Sequence, residues 1–302
     1  MSSIHLTLED LVRLQFEALG FSFRTTQPVS SLLSGRHASR LRGRGLTFEE
    51  LRGYRPGDDI RTMDWRATAR LRKPHVRVYS EERERPVLLL IDQRSSMFFG
   101  SARTTKATAA AELAALAAWK TLDSGDRVGA IIFGDDEVVE IRPHRSRSNV
   151  LRICHEVVRL NNTLSADSES GISATFNDAL RRSVNVAKHD HLVLLISDCA
   201  GSDSQTRRLV THLAAHNDVM AALVYDPLGI RLSAIGQMTA SDGQRQISVP
   251  QGDSFANRFE AEFRAMSSRI RERMGALRIP ILPICTHEPV ADQVRTALGA
   301  GR

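Results

Sequence analysis

The sequence lacks the features of a membrane or secreted protein. No apolar run approaches the roughly 18 to 20 residues that a membrane helix needs. Residues 1–21 contain acidic side chains and no continuous apolar core, which is not the pattern of a signal peptide. We therefore expect a cytoplasmic protein with no membrane span.

Cysteine is scarce, and several common catalytic motifs are missing. The chain of 302 residues has three cysteines (Cys154, Cys199 and Cys285), none of them in a CxxC pair. This spacing argues against a disulfide framework or a zinc site and predicts reduced thiols. The sequence also has no GxxxxGK[ST] phosphate loop, no GxSxG elbow and no HExxH helix. None of these three signatures therefore points to catalysis.

Aromatic residues make up only 5% of the chain, although its formal net charge is +6 and its pI is near 9.7. Arginine is concentrated at residues 36–44 and 142–152. Such clusters can bind phosphate backbones, but no aromatic residues are interleaved with them to stack on bases. We interpret both clusters as solvated faces or protein-docking surfaces. A nucleic-acid-binding module remains the less favoured alternative.

What the chain does contain, from residue 86 onward, is an alternation of apolar strands and helices. Residues 86–92 and 191–198 are short apolar runs typical of strands buried on both faces. Residues 127–133 and 138–142 predict a hairpin, which would place an antiparallel strand at a sheet edge. The alternation predicts an α/β fold with an open, mostly parallel sheet flanked by helices. We divide the chain into an N-terminal helix and extended arm (1–85) and an α/β domain (86–302).

Two of the apolar strands end in aspartate, at Asp92 and Asp198. If the strands are parallel neighbours, both carboxylates lie at the carboxyl edge of the sheet, where such folds bind ligands. Serine hydroxyls follow each aspartate, at Ser95, Ser96 and Ser202. Carboxylate and hydroxyl oxygens suit a hard cation such as Mg²⁺. The alternative is that each aspartate simply caps a turn or helix.

These residues resemble the metal-ion-dependent adhesion site of the von Willebrand factor A fold, in which a D-x-S-x-S strand end, a threonine loop and a distal aspartate bind metal. Asp92, Ser96 and Asp198 match three of these positions. Arg94 replaces the middle serine. A gapless match of the threonine loop to SGISATFNDAL falls on Ala174, so that Thr175 substitutes only if the loop shifts.

A longer motif precedes this domain. The sequence of residues 34–100 resembles the bacterial family called domain of unknown function 58, whose members join a Y-x-x-G-D-D-x-R-x-x-D-W signature to a von Willebrand A-like domain. The residues that match the signature are Tyr54, Gly57, Asp58, Asp59, Arg61, Asp64 and Trp65.

This resemblance implies a non-enzymatic adaptor. Members of the family are typically encoded beside MoxR-type AAA+ ATPases and other von Willebrand A-like proteins. They are thought to act with the ATPase in chaperone-like maturation of protein complexes. The alternative from a different class is a metal-dependent hydrolase or nuclease that uses Asp92 and Asp198.

Arg94 decides between two interpretations of the altered site. Its guanidinium can fold back over Asp92 and Asp198 and neutralise them in place of a cation. Alternatively, it points to solvent and leaves a weakened Mg²⁺ or Mn²⁺ site on Asp92, Ser96, Asp198 and Thr175. We favour the first interpretation, and no cofactor is otherwise indicated.

The signature segment also has two interpretations. In the structural one, its acids pair with Arg55, Arg61 and Arg66 to hold the arm, and Trp65 packs below. In the functional one, the segment presents a partner-docking surface. We favour the structural interpretation.

Overall fold

The computed structural model describes residues 6–18, 46–81, 85–165, 174–229, 239–241, 246–248 and 253–298. Within these residues the chain forms two compact units. The larger contains residues 6–18 and the described residues from 85 onward, and the smaller contains residues 46–81. The sequence-based division at residue 86 stays a prediction. The arginine cluster at residues 36–44 lies outside the described residues.

The smaller unit is a two-stranded antiparallel ribbon with a short helix between its strands. Strand β1 (Leu46–Gly53) pairs with β2 (His75–Glu81), and helix α2 (Trp65–Leu71) lies between them in sequence. A 3-10 turn at Ile60–Thr62 precedes α2.

The larger unit contains a six-stranded sheet whose strand order is β10-β7-β6-β3-β4-β5. Five of the strands are parallel, and only β5, at one edge, is antiparallel. This arrangement confirms the predicted α/β class, an open and mostly parallel sheet with an antiparallel edge strand. The strands are β3 (Val87–Asp92), β4 (Val128–Phe133), β5 (Val138–His144), β6 (Leu192–Ser197), β7 (Asp218–Tyr225) and β10 (Ile281–Cys285).

Helices cover both faces of this sheet. They are α1 (Leu8–Arg13), α3 (Lys106–Asp123), α4 (Arg147–Asn161), α5 (Ala174–Val186), α6 (Ser204–His216), α7 (Asp253–Ala276) and α8 (Val290–Leu298). A separate pair of short antiparallel strands, β8 (Thr239–Ser241) and β9 (Gln246–Ser248), precedes α7 in sequence.

Alternation along β3 explains why the sheet is covered on both sides. Leu89 and Ile91 contribute to a core with α3 and α4, whereas Leu88 and Leu90 contribute to a second core with α5 and α7. A strand whose residues are all buried cannot show the polar alternation of a half-exposed strand. Nothing in the described residues forms a helix long and apolar enough to cross a membrane.

Helix α1 packs on the first of these cores. The buried Trp119 indole N–H on α3 donates to the Leu11 carbonyl at 3.0 Å. Part of the second arginine cluster is used nearby, because Arg147 lies over the Trp119 ring at 5.0 Å and donates to Gln15. These contacts tie α1 to the larger unit.

Candidate functional site at the carboxyl edge of the sheet

The site is built by three neighbouring parallel strands that each lead to an aspartate. Asp92 ends β3, Asp198 follows β6, and Asp226 follows β7. Because β3, β6 and β7 are adjacent and parallel, their carboxyl ends meet at one edge of the sheet. All three carboxylates are buried there. The groups that donate hydrogen bonds to the carboxylate differ among the three aspartates.

Asp92 forms a bidentate ion pair with Arg94. The Arg94 Nε donates to Asp92 Oδ1 at 2.9 Å, and Nη2 donates to Oδ2 at 2.7 Å. The Arg94 backbone N–H and the Ser197 hydroxyl donate to the same carboxylate, at 3.1 and 2.6 Å. Asp92 is 0% and Arg94 2% exposed, so the pair is removed from water.

The charge of Arg94 compensates the burial of Asp92. Burial raises the pKa of the Asp92 carboxyl, and the charge and hydrogen bonds of Arg94 oppose that rise. Burial alone would lower the pKa of the Arg94 guanidinium, but Asp92 raises it and the net shift is upward. The guanidinium therefore stays protonated, as arginine does in proteins generally.

Two phenyl rings and a carbonyl hold the guanidinium in place. Its central carbon lies 4.9 Å from the ring centroid of Phe176 and 5.6 Å from that of Phe133. These two rings stack with centroids 5.6 Å apart. Nη2 also donates to the Ala200 carbonyl at 3.2 Å, in the loop that follows β6. Cation–π contacts of a desolvated arginine add to the ion pair.

Asp198 pairs with a different cation, Lys106. The Lys106 ammonium donates to Asp198 Oδ2 at 2.6 Å, and the Ala200 backbone N–H donates to Oδ1 at 2.9 Å. Lys106 is the first residue of α3, so the loop between β3 and α3 brings it to the sheet edge. The expectation that Arg94 neutralises both aspartates is wrong for Asp198, because its cation comes from this helix instead.

Asp226 is held by neutral donors. Ser101 donates to it from both its backbone N–H (2.8 Å) and its hydroxyl (2.6 Å), and the Thr286 hydroxyl and Leu228 N–H donate at 2.6 and 2.9 Å. Burial alone would raise the pKa of Asp226, but these hydrogen bonds lower it overall. The Ser101 hydroxyl also lies 2.8 Å from the ring nitrogen Nε2 of His287.

The loop between Gly100 and α3 needs a glycine at its start. A Cβ added to Gly100 would lie 2.1 Å from the Thr104 carbonyl oxygen, closer than any side chain tolerates. This close approach lets Ser101 reach Asp226 while Lys106 reaches Asp198.

The hydroxyl groups near the predicted metal site differ in their hydrogen bonding. The hydroxyls of Ser96 and Thr175 are buried without a hydrogen-bond partner. Ser95 instead donates from its backbone and hydroxyl to Asp135, at 2.9 and 3.3 Å. Asp135 lies between β4 and β5, and its contact with the Ser95 loop was not predicted.

With these bonds in place, the donor set does not fit a divalent cation. The bonds from Arg94, Ser197, Lys106 and Ala200 engage all four carboxylate oxygens of Asp92 and Asp198. The positive charges of Arg94 and Lys106, each within hydrogen-bond distance of one of these carboxylates, would also repel Mg²⁺. Among the described residues, no cluster of three or more His, Cys, Asp or Glu side chains is arranged to hold a metal ion. Only the unpartnered hydroxyls of Ser96 and Thr175 remain from the predicted ligands.

Cys199 lies within this site, but its thiol is unreactive. It has a positive φ of 58°, which turns the chain away from the sheet directly after Asp198. Burial raises the pKa of its thiol to about 12. A thiol with this pKa is protonated at neutral pH and is a poor nucleophile.

In the smaller unit, two signature acids stabilise local structure. Asp58 accepts two bonds from Arg52, at 2.8 and 3.0 Å, and one from the Arg55 backbone N–H. Asp64 caps α2 by accepting from the Arg66 and Ala67 backbone N–H groups. It also accepts from the Arg77 guanidinium at 2.8 Å. The side-chain partners are thus Arg52 and Arg77, not the expected Arg55, Arg61 and Arg66.

The remaining signature residues lie nearer the surface. Asp59 accepts from the Arg61 backbone N–H and caps the 3-10 turn, and the Tyr54 backbone N–H donates to Pro74. Trp65 is 66% exposed, so the expectation that it packs beneath the arm is wrong within the described residues. Asp64, which caps α2, is buried, whereas Trp65, the first residue of the helix, faces solvent.

Sequence reasoning missed Lys106, Asp135 and Asp226. Asp226 had a usable signal, since VMAALVYD ends in aspartate after an apolar strand in the same way as LLLID and LLISD. The role of Lys106 had none, because it lies 92 residues from Asp198 in sequence.

Comparisons with known proteins agree with the long signature. The family model described as Protein of unknown function DUF58 matches residues 50–271. The uncharacterized protein Rv1480 of Mycobacterium tuberculosis is 31% identical over 279 residues, which cover 89% of this chain and 84% of that protein.

Two solved structures are also similar, at lower identity. An aerotolerance-related membrane protein from Bacteroides fragilis matches with 12% identity and a TM-score of 0.39, over 71% of this chain and 96% of that one. The SpRpn10 VWA domain matches with 13% identity and a TM-score of 0.39, over 71% and 95%.

Proposed function

Because the chain belongs to the DUF58 family of proteins of unknown function, we propose that it is a non-enzymatic protein-binding adaptor. In this proposal it works with a MoxR-type AAA+ ATPase, and with other von Willebrand A-like proteins, in chaperone-like maturation of a protein complex in the cytoplasm. The observation that carries the proposal is the exposed Trp65 in the signature segment.

Two other large apolar side chains near Trp65 in sequence are also exposed to water. Ile60 is 61% and Leu71 50% exposed, and both lie within six residues of Trp65. Tryptophan and arginine are the residues that contribute most to protein-binding hot spots. Arg61, Arg66, Arg70 and Arg72 are exposed on α2 and its flanks. This composition favours an acidic partner surface with an apolar pocket for the indole.

We also propose that partner binding needs no divalent cation. Its support is that Arg94 and Lys106 already supply positive charge to Asp92 and Asp198. The carboxyl edge of the sheet would then still serve as a binding surface, although no metal ion would link it to the partner. We therefore propose that binding is equally strong with EDTA and with excess Mg²⁺.

Direct binding to a purified MoxR-type ATPase from the same genome tests the adaptor role. We expect Trp65→Ala to weaken binding by about tenfold or more, the effect of a hot-spot residue. Phe16→Ala is the matched control, because Phe16 is 72% exposed but belongs to the larger unit. Its affinity should equal that of the unmodified protein.

Both variants must keep the far-UV circular dichroism spectrum of the unmodified protein before the affinities are compared. If the unmodified protein does not bind the ATPase, the adaptor role is wrong. Equal losses in Trp65→Ala and Phe16→Ala would instead refute the role of the signature surface. Binding that EDTA abolishes in the absence of nucleotide would refute metal independence.

A further inference from the structure

A cavity of about 470 Å³ opens at the carboxyl edge of the sheet, beside the pair of Lys106 and Asp198. Its walls come from the loops after β3 and β6, the end of β7 and one side of α7. The volume lies in the range of small-molecule sites, which is about 300 to 1,000 Å³. No function assigned above uses it.

The wall is largely apolar. Phe99, Leu223, Phe263 and Ile270 line the cavity and come from three separate parts of the chain. Such a wall favours a ligand with an apolar body, because binding removes that apolar surface from water.

Two hydrogen-bonding groups at the sheet edge are available to a ligand acceptor. A lysine ammonium has three N–H donors, and Asp198 takes one of those of Lys106 at 2.6 Å. The Ser96 hydroxyl lines the same cavity and is buried without a partner. A buried hydroxyl without a partner is costly, and a ligand acceptor would remove that cost.

The acidic groups of the cavity limit where an anion can bind. Asp198 is paired with Lys106, and Asp226 accepts four hydrogen bonds from protein donors. Glu262 and Arg269 add one charge of each sign from α7. Lys106 and Ser96 are thus the groups that favour an acceptor-rich head.

We propose that this cavity binds a small free carboxylic acid with an apolar body. Lys106 and Ser96 donate to its carboxylate, and Phe99, Phe263 and Leu223 surround its apolar part. The inference does not depend on an ATPase partner, because every residue that it uses lines one cavity of the larger unit.

Isothermal titration with 4-phenylbutyrate tests the inference, with the neutral 4-phenylbutyramide as the matched probe. We expect saturable binding of the acid and at least about tenfold weaker binding of the amide, because the amide lacks the negative charge that strengthens a hydrogen bond from Lys106. Equal affinity for acid and amide, or no saturable binding of the acid, would overturn the inference.

Variants locate the binding site. Lys106→Gln should weaken binding of the acid by about tenfold, whereas Lys120→Gln, on the same helix but outside the cavity, should not change it. Ser267→Phe places an aromatic side chain on the α7 wall of the cavity, at a residue that is not part of the pair of Lys106 and Asp198, and it should weaken binding.

Lys106→Gln leaves Asp198 without its cation and can unfold the protein, so Ser267→Phe and Ser96→Ala provide independent tests. Ser96→Ala should weaken binding of the acid more than binding of the amide. If Ser267→Phe is folded and binds the acid as strongly as the unmodified protein, the ligand lies elsewhere and the inference is wrong.

Discussion

At the sheet edge, Asp92 and Arg94 form their bidentate pair with both side chains buried, whereas in the smaller unit Asp64 meets an Arg77 side chain that is 46% exposed. The donor and acceptor atoms are similarly close in the two pairs, at 2.7 and 2.8 Å. Their surroundings differ. Phe133 and Phe176 pack against the guanidinium of the first pair, and water reaches that of the second.

The comparison shows that similar ion pairs carry different energetic consequences. Water screens a pair whose cation is exposed, so the loss of Arg77 costs little. A buried ion without its partner remains desolvated, so the loss of one partner is expensive even where the pair contributes little net stability. Large apolar side chains differ between the two regions in the same way. Phe133 and Phe176, which contact Arg94, are buried, whereas Ile60 and Leu71, near Trp65 in sequence, are exposed.

The substitution Arg94→Met should have the largest effect. It leaves the Asp92 carboxylate buried with only the Ser197 hydroxyl and a backbone N–H as donors. We expect the free energy of unfolding to fall by about 3 to 5 kcal/mol. Urea denaturation followed by circular dichroism measures it.

The double variant Asp92→Leu/Arg94→Met separates the cost of an unpaired charge from that of a lost contact. Replacing both members of a buried pair with apolar side chains is often neutral or stabilising. We therefore expect the double variant to regain most of the stability lost in Arg94→Met. A double variant as unstable as the single one would show that packing of the guanidinium on the rings dominates.

Lys106→Met should have a smaller effect. Asp198 loses its cation but keeps the Ala200 N–H, and the neighbouring cavity admits water. A buried acceptor that loses one partner costs about 1 to 3 kcal/mol. Lys120→Met is the control, because Lys120 is about as exposed as Lys106 but pairs with Asp123, which is 55% exposed against 6% for Asp198. It should change stability by less than about 0.5 kcal/mol. Equal losses in the two variants would contradict the comparison.

The fold could be predicted because its signals are local. Val87–Asp92 and Leu192–Ser197 are short runs without polar interruption, which only a strand covered on both faces tolerates. Two short strand-like runs separated by a tight turn, at residues 127–133 and 138–142, predicted the antiparallel edge. In each case the residues that give the signal are close in sequence.

The candidate site could be predicted only in part, for the same physical reason. Arg94 is two residues from Asp92, so their pairing follows from local geometry. The bonds of Asp198 and Asp226 reach across 92 and 125 residues, and no short pattern encodes them. The exposure of Trp65 depends on how Asp64 caps α2, which composition does not reveal.

Acidification should affect the smaller unit through Asp64. The Ala67 N–H and the Arg77 guanidinium lower the pKa of its carboxyl below the ordinary value. A lowered folded-state pKa means that the carboxylate stabilises the unit above its unfolded pKa of about 3.9 and that this stabilisation is lost as the pH falls through the folded-state value. We expect Asp64→Asn to flatten this dependence, since asparagine caps a helix without a titrating charge.

Fluorescence of Trp65 reports this change locally. The chain has two tryptophans, and Trp119→Phe in both proteins leaves Trp65 as the single emitter. A pH titration from neutral to about pH 2 compares the protein with and without Asp64→Asn. Identical profiles would mean that Asp64 does not couple protonation to the structure of α2.

Trp65→Ala should have the smallest effect on stability and provides the sharpest comparison between the regions. The side chain is 66% exposed, so its removal should change the free energy of unfolding by less than about 0.5 kcal/mol. Trp119→Ala is the same substitution at a position that is 4% exposed and should cost about 3 to 5 kcal/mol. A large loss in Trp65→Ala would mean that the indole stabilises the folded chain, and the signature surface would then be structural instead of free for a partner.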